Sequence, residues 1–201
     1  MSLLVKICGL RTREAVEAAV AGGADAVGFV FHAPSPRNVE PSRAAALAAL
    51  LPRGVLRVAV TLHPTQSLVD RVLAGFEPDA WQSDAADFAT IGLPPAISHW
   101  PVWRSGNPLP GTPPPRLVYE AAMSGAGMRA DWTAAAGLAR RCGLILGGGL
   151  DPANVGAAIL SVRPSGVDVS SGVEREPGVK DPAMIRAFIE AARAAHQGVT
   201  A

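Results

Sequence analysis

"LLVKICGLRTREAVEAAVAGG", residues 3–23, holds the pattern on which the reading of the fold turns. Residues 3–7 are a short apolar run of the kind that makes a buried strand, interrupted by Lys6 and ended by Cys8-Gly9. Residues 11–23 then place Ala15, Val16, Ala19 and Val20 on one helical face and stop at two glycines. The unit is strand, glycine turn, helix.

The unit recurs along the chain. "ADAVGFVF" (24–31) is a second strand, followed by the loop "HAPSPRNVE" and a helix through residue 51 with Pro41 in its first turn. "VLRVAVTL" (55–62) pairs with a helix over 64–75, and a short strand at 79–82 with a stunted helix at 85–92. "AISHWPVW" (96–103) is strand five. The next stretch, "RSGNPLPGTPPPR", carries five prolines between 108 and 115, so a proline-stiffened loop is expected where a helix would fall. "RLVYE" (116–120) precedes a helix from Asp131 to Arg140, with Asp131 as its cap. "CGLILGGG" (142–149) precedes a helix opening at "DPANV", with Asp151 as cap and Pro152 at the first helical position. "GVDVSSG" (166–172) precedes a last helix over 181–195.

Short buried strands alternating with helices imply a parallel sheet. An open doubly wound sheet and a closed barrel both fit the alternation. Eight strands favour a compact (β/α)8 TIM barrel, with residues 1–201 as one domain. "CGLRTR" has a single glycine after the first strand, which removes a dinucleotide-binding fingerprint.

Composition narrows the function classes. Apolar residues make up 49% of the chain and charged ones 17%, which excludes a disordered segment. The 18 basic and 17 acidic residues nearly balance, and lysine occurs only at 6 and 180. No basic stripe interleaved with aromatics suggests nucleic acid, and no apolar run is long enough to span a membrane. No signal-peptide pattern opens the sequence, and Cys8 and Cys142 lack disulfide-scaffold or metal-ligand spacing. A reducing cytoplasm is expected, with both thiols free, Cys142 structural, and neither metal nor cofactor called for. Assembly into a homo-oligomer is compatible with all of this.

Ligands of such barrels sit above the C-terminal ends of the strands. The chemically distinctive residues gather there: Cys8, His32, Arg37, Glu120, Gly147 to Gly149 and Ser170 to Gly172. Period-two alternation puts Lys6 on the face of Cys8 and Asp168 on the face of Ser170. Strands eight and one are neighbours in a closed barrel, so a Lys6–Asp168 pair is expected just below the thiol. Its roles are core specificity and a raised potential at Cys8.

"VKICGLR", "GADAVGFVFHAPSPRNVEP" (23–41), "ADW" (130–132), "LILGGGLDPANV" (144–155) and "VRPSGVDVSSGVEREPGVKD" (162–181) together resemble the phosphoribosylanthranilate isomerase family of tryptophan biosynthesis. The resemblance covers about half the chain, in order, and is weakest in the middle. It implies an Amadori rearrangement of N-(5-phosphoribosyl)anthranilate, an aminoaldose, to the aminoketose 1-(2-carboxyphenylamino)-1-deoxyribulose 5-phosphate. It assigns general base to Cys8 and, by position at the end of strand six, general acid to Glu120. Arg37 would hold the anthranilate end, and Gly148, Gly149, Ser171 and Gly172 the phosphate. The chain departs from the family pattern in four places. Glu120 stands for the usual Asp, Asp84 for the histidine of QLHG, Ser124 for the first glycine of GGSGxxFDW, and Ala130 for its Phe. Two other functions stay open: an isomerase of a related phosphorylated aminoaldose, and an impaired paralogue that binds phosphorylated ligands without turnover. A Schiff-base aldolase is set aside because Lys6 is too deep and Lys180 falls outside any strand.

Overall fold

The structure, a computed structural model, describes residues 2–108, 111–123 and 127–200. Eight parallel strands close into a barrel: β1 (Leu4–Cys8), β2 (Ala26–Val30), β3 (Leu56–Val60), β4 (Ala80–Asp84), β5 (Ser98–Arg104), β6 (Arg116–Glu120), β7 (Gly143–Leu146) and β8 (Gly166–Val169). Closure comes from β1 lying beside β8 in a register that sets Lys6 opposite Asp168. Helices α1 (Arg13–Gly22), α2 (Pro41–Ala48), α3 (Gln66–Gly75), α4 (Trp132–Ala139), α5 (Val155–Val162) and α6 (Pro182–Thr200) alternate with the strands.

The strand pattern sorts residues into two apolar layers. Val5, Ile7, Val27, Phe29, Leu144 and Val167 pack outward among helix residues such as Val16, Val72, Ile159 and Phe188. The alternate positions Ala26, Val58, Ala80, Trp100, Val118 and Ile145 form a separate interior cluster. The Arg116 guanidinium lies over the Trp100 ring, 5.2 Å from its centroid, near the strands' N-terminal ends. Nearer the C-terminal ends the interior gains polar residues, Lys6, Gln82, Glu120 and Asp168, beside Val60 and Val102. The change from apolar to polar along the inside of the barrel is what makes one end a site.

The helix starts follow local chemistry. The Thr12 hydroxyl accepts from the Ala15 amide and opens α1, and Asp131 accepts from the Thr133 and Ala134 amides to open α4. Pro41 begins α2. Asp151 does not cap α5. Its carboxylate accepts from the Ala153 and Asn154 amides, making a turn, and the helix starts three residues beyond Pro152 with Asn154 at the cap position.

After β4 there is only a 3₁₀ turn, Ala85–Ala89, and the described residues between β5 and β6 contain no helix, as the prolines require. Pro110 lies outside the described residues. Beyond β8 the structure adds a small antiparallel hairpin that the sequence reading lacks, β9 (Glu174–Glu176) and β10 (Val179–Lys180). Lys180 therefore does lie in a strand. No helix among the described residues is long and apolar enough to cross a membrane.

Candidate active site

A cavity of about 780 Å³ opens at the C-terminal end of the barrel. Cys8, Arg37, Glu120, Asp168 and Ser171 all line it, with His32, Gln82 and Arg104. A smaller hollow beside it is edged by Gly148, Gly149, Ser170 and Ser171, and shares Glu120 and Asp168 with the main cavity. Residues from β1, β6, β7 and β8 thus converge on one mouth.

The sulfur sits where it does because of its neighbours. Lys6 and Cys8 are both inward residues of β1, and Gly28 of β2 lies in register with Cys8. A Cβ at Gly28 would stand 2.9 Å from Cys8 Sγ and 3.2 Å from Lys6 Cε, so the missing side chain is the space those two groups use. Lys6 Nζ donates to both carboxylate oxygens of Asp168 at 2.9 Å, with the ammonium fully buried. Burial alone would strip Lys6 of its proton. The charge and hydrogen bonds of Asp168 and Cys8 outweigh it, and the lysine holds its proton more tightly than a free one.

Burial dominates at Cys8 as well, and there it wins. The thiol, 6% exposed, is pushed above the ordinary thiol range, while the charges of Lys6 and Lys180 pull it back. An electropositive setting is present, but it offsets desolvation only in part.

Arg37 is more constrained than its loop position suggests. Its Nε and Nη2 donate in parallel to the two oxygens of Glu174, each at 2.8 Å. The same carboxylate accepts from Lys180 Nζ at 2.7 Å and from the Gly178 amide at 3.2 Å. Glu174 is nearly inaccessible, and its pKa is nevertheless lowered: burial raises it, but the Arg37 hydrogen bond and the Lys180 charge prevail.

Gln82 donates to Glu120 at 3.4 Å, and Glu120 lies in register with Arg104 on β5. Arg104 is paired in turn with Asp84. His63 lies 3.6 Å from that carboxylate and 2.9 Å from Asp87, and its pKa is raised, chiefly by the Asp87 hydrogen bond.

The glycine turns have a strict packing basis. Gly148 has φ of 78°, and a Cβ there would lie 2.5 Å from the Ala121 amide nitrogen. A Cβ at Gly172 would lie 1.9 Å from the Leu150 carbonyl oxygen, so the turns after β7 and β8 touch backbone to backbone. Ser124 lies outside the described residues, and Ala130 is buried. Cys142 is partly buried and donates to the Leu138 carbonyl at 3.5 Å, away from the cavity.

A family model described as "N-(5'phosphoribosyl)anthranilate (PRA) isomerase" matches residues 116–191. The N-(5'-phosphoribosyl)anthranilate isomerase of Mesorhizobium japonicum is 38% identical over 215 residues, spanning 97% of each chain. The chain belongs to the phosphoribosylanthranilate isomerase family. A phosphoribosyl anthranilate isomerase solved with reduced 1-(o-carboxyphenylamino)-1-deoxyribulose 5-phosphate superposes with a TM-score of 0.78 at 30% identity, covering 96% of this chain and all of that one. The monomerised form of the dimeric phosphoribosylanthranilate isomerase of Thermotoga maritima gives the same score, identity and coverage.

The structure brings Cys8, Glu120, Arg37 and the turns after β7 and β8 to one end of the barrel, with Lys6 and Asp168 paired beneath. Sequence reasoning missed Glu174, Lys180, Gln82 and Arg104. Period two along β4 and β5 could have placed Gln82 and Arg104 inside. The scarcity of lysine could have drawn notice to Lys180. Nothing local announces Glu174, whose bidentate partner Arg37 lies in a loop 137 residues earlier.

Proposed function

We propose that this chain converts N-(5-phosphoribosyl)anthranilate to 1-(2-carboxyphenylamino)-1-deoxyribulose 5-phosphate, with Glu120 as acid and Cys8 as base. Glu120 protonates the furanose ring oxygen as the C1–O bond breaks, and the nitrogen lone pair forms a C1=N iminium. That cation acidifies the C2 hydrogen. The Cys8 thiolate takes the proton, and the C–H electron pair moves into C1=C2, returning its partner pair to nitrogen. The resulting enaminol gains a proton at C1 and loses the one on its C2 hydroxyl, giving the ketone. Oxidation at C2 balances reduction at C1, so acid–base groups suffice and no cofactor is required.

In this reading Gly148, Gly149, Ser171 and Gly172 offer backbone N–H groups to the phosphate, Arg37 holds the anthranilate end, and Lys6 and Asp168 support the base. The support is the convergence of an acid and a thiol on one cavity whose edge carries both glycine turns. On this reading the chain works in the cytoplasm on a small phosphorylated substrate, without a nucleic-acid partner. The dimeric Thermotoga relative makes a homo-oligomer the assembly to look for by light scattering.

Anthranilate fluorescence with the phosphoribosyl substrate tests this directly. The parent turns over. Cys8→Ser abolishes turnover and leaves affinity for the reduced product analogue within about threefold. Turnover surviving in Cys8→Ser would put the base elsewhere. A parent that binds the analogue without turnover would favour the binding-module alternative.

A further inference from the structure

The two lysines of the chain are both buried and both act on Cys8 through their charge, although sixteen arginines carry the remaining basic charge. Lys6 approaches from β1 and is neutralised by Asp168. Lys180 approaches from β10. Its Nζ donates to Glu174 at 2.7 Å, to the Ser170 carbonyl at 2.9 Å and to the Ser170 hydroxyl at 3.2 Å. The Ser170 hydroxyl in turn donates to the carbonyl oxygen of Cys8 at 3.3 Å. Arg37, however, already occupies both oxygens of Glu174 in a bidentate pair.

The buried charges on the sulfur's side of the cavity can be counted. Lys6, Lys180 and Arg37 are three cations, and Asp168 and Glu174 are two anions, leaving one positive charge in excess. A buried cluster with a net charge is costly. It becomes neutral when the Cys8 thiol loses its proton. We infer that Lys180 is a positioning residue for the Cys8 base, an ammonium held by Glu174 and the Ser170 turn so that the buried cluster reaches charge balance only with the thiolate. The inference rests on Cys8 being the base.

The titration behaviour agrees with this geometry. Lys180 holds its proton less tightly than an ordinary lysine because of burial, with Glu174 and Cys8 opposing the loss. Other charged groups line the same cavity, namely Glu120 and Arg104 from β6 and β5, Arg175 and Glu176 from β9 and His32 from the loop after β2. β2 itself presents Gly28 and no charge. Lys180 differs from all of these in being buried, on the sulfur's own side, and in excess of its counter-ion.

With two lysines in the chain, isotope labelling of lysine at Cε gives two side-chain resonances in the unmodified protein. The Lys180 resonance is expected to show a titration step at the Cys8 midpoint, and Cys8→Ser is expected to remove that step. In a Cys142→Ser background, Lys180→Gln should raise the thiolate midpoint seen by ultraviolet absorbance by about one pH unit. The ascending limb of kcat/KM should move with it, and Lys180→Arg should restore both. A Lys180 step that persists in Cys8→Ser, or a thiol midpoint unmoved in Lys180→Gln, overturns the inference and leaves Lys180 as a brace for the hairpin. If Lys180→Gln does not fold, the lysine resonances of the parent and of Cys8→Ser decide the matter. Absent turnover in the parent counts against the reaction proposed above, and the thiol titration stays readable without it.

Discussion

Gly28→Ala adds one methyl group at the point where the inward faces of β1 and β2 meet. The new Cβ falls 2.9 Å from Cys8 Sγ and 3.2 Å from Lys6 Cε, where ordinary contact begins at 3.4 Å. The sulfur must therefore retreat by at least about half an ångström, and the lysine stem by a few tenths. Retreat is resisted on the far side, because Lys6 is pinned by two hydrogen bonds to Asp168. Overpacking of a tight interior costs about 1–3 kcal/mol, and replacing a strand glycine by alanine returns roughly 0.5–1 kcal/mol. A net destabilisation of about 1 kcal/mol is expected, read as a lower denaturant midpoint at constant slope. Misplacing a reacting group by about 1 Å costs roughly 10²-fold, so half that distance predicts about a tenfold fall in turnover. Fluorescence kinetics and denaturant unfolding on one preparation measure both quantities. A Gly28→Ala variant with parental turnover would show that the sulfur is not held by the space at residue 28, and that argument would fail.

Two further outcomes follow from the buried charges. Lys6→Met leaves the Asp168 carboxylate buried without its partner and should cost about 3–5 kcal/mol by chemical unfolding, whereas the double variant Lys6→Met/Asp168→Leu should recover most of it. A double variant no more stable than the single one would refute the pairing argument. Glu174 has a folded-state pKa below its ordinary 4.5, so its contribution is present above that pH and is lost as acid carries the carboxyl through its folded value. The stability gap between the parent and Glu174→Gln should accordingly narrow on acidification below about pH 4.5. A gap that stays constant across that window would mean the carboxylate gains nothing from its two cations.

The barrel was legible because parallel strands buried on both faces leave apolar runs at regular spacing, most plainly in β2, β3 and β7. The Lys6–Asp168 pair was legible too, since period two and closure together put both residues on one inner face. The hairpin of β9 and β10 was not. Its strands are three and two residues long, too short for any periodicity, and an ion cluster holds them in place of an apolar stripe. Arg37 stood out as a loop cation, but its bidentate partner depends on two loops brought together by the finished fold. Helix α5 starts late because Asp151 and Asn154 satisfy nearby amides with their side chains, a local competition that a cap rule does not capture.

The seam between β1 and β8 sets the order in which a newly made chain acquires its chemistry. Lys6 leaves the ribosome 162 residues ahead of its counter-ion. Until then the first strand carries a cation that no dry interior will accept, and the thiol two residues on has no enclosure. The strand that carries Asp168 must be made before the sulfur meets its surroundings, so enclosure of the thiol belongs to the closed barrel and to no fragment that stops short of β8.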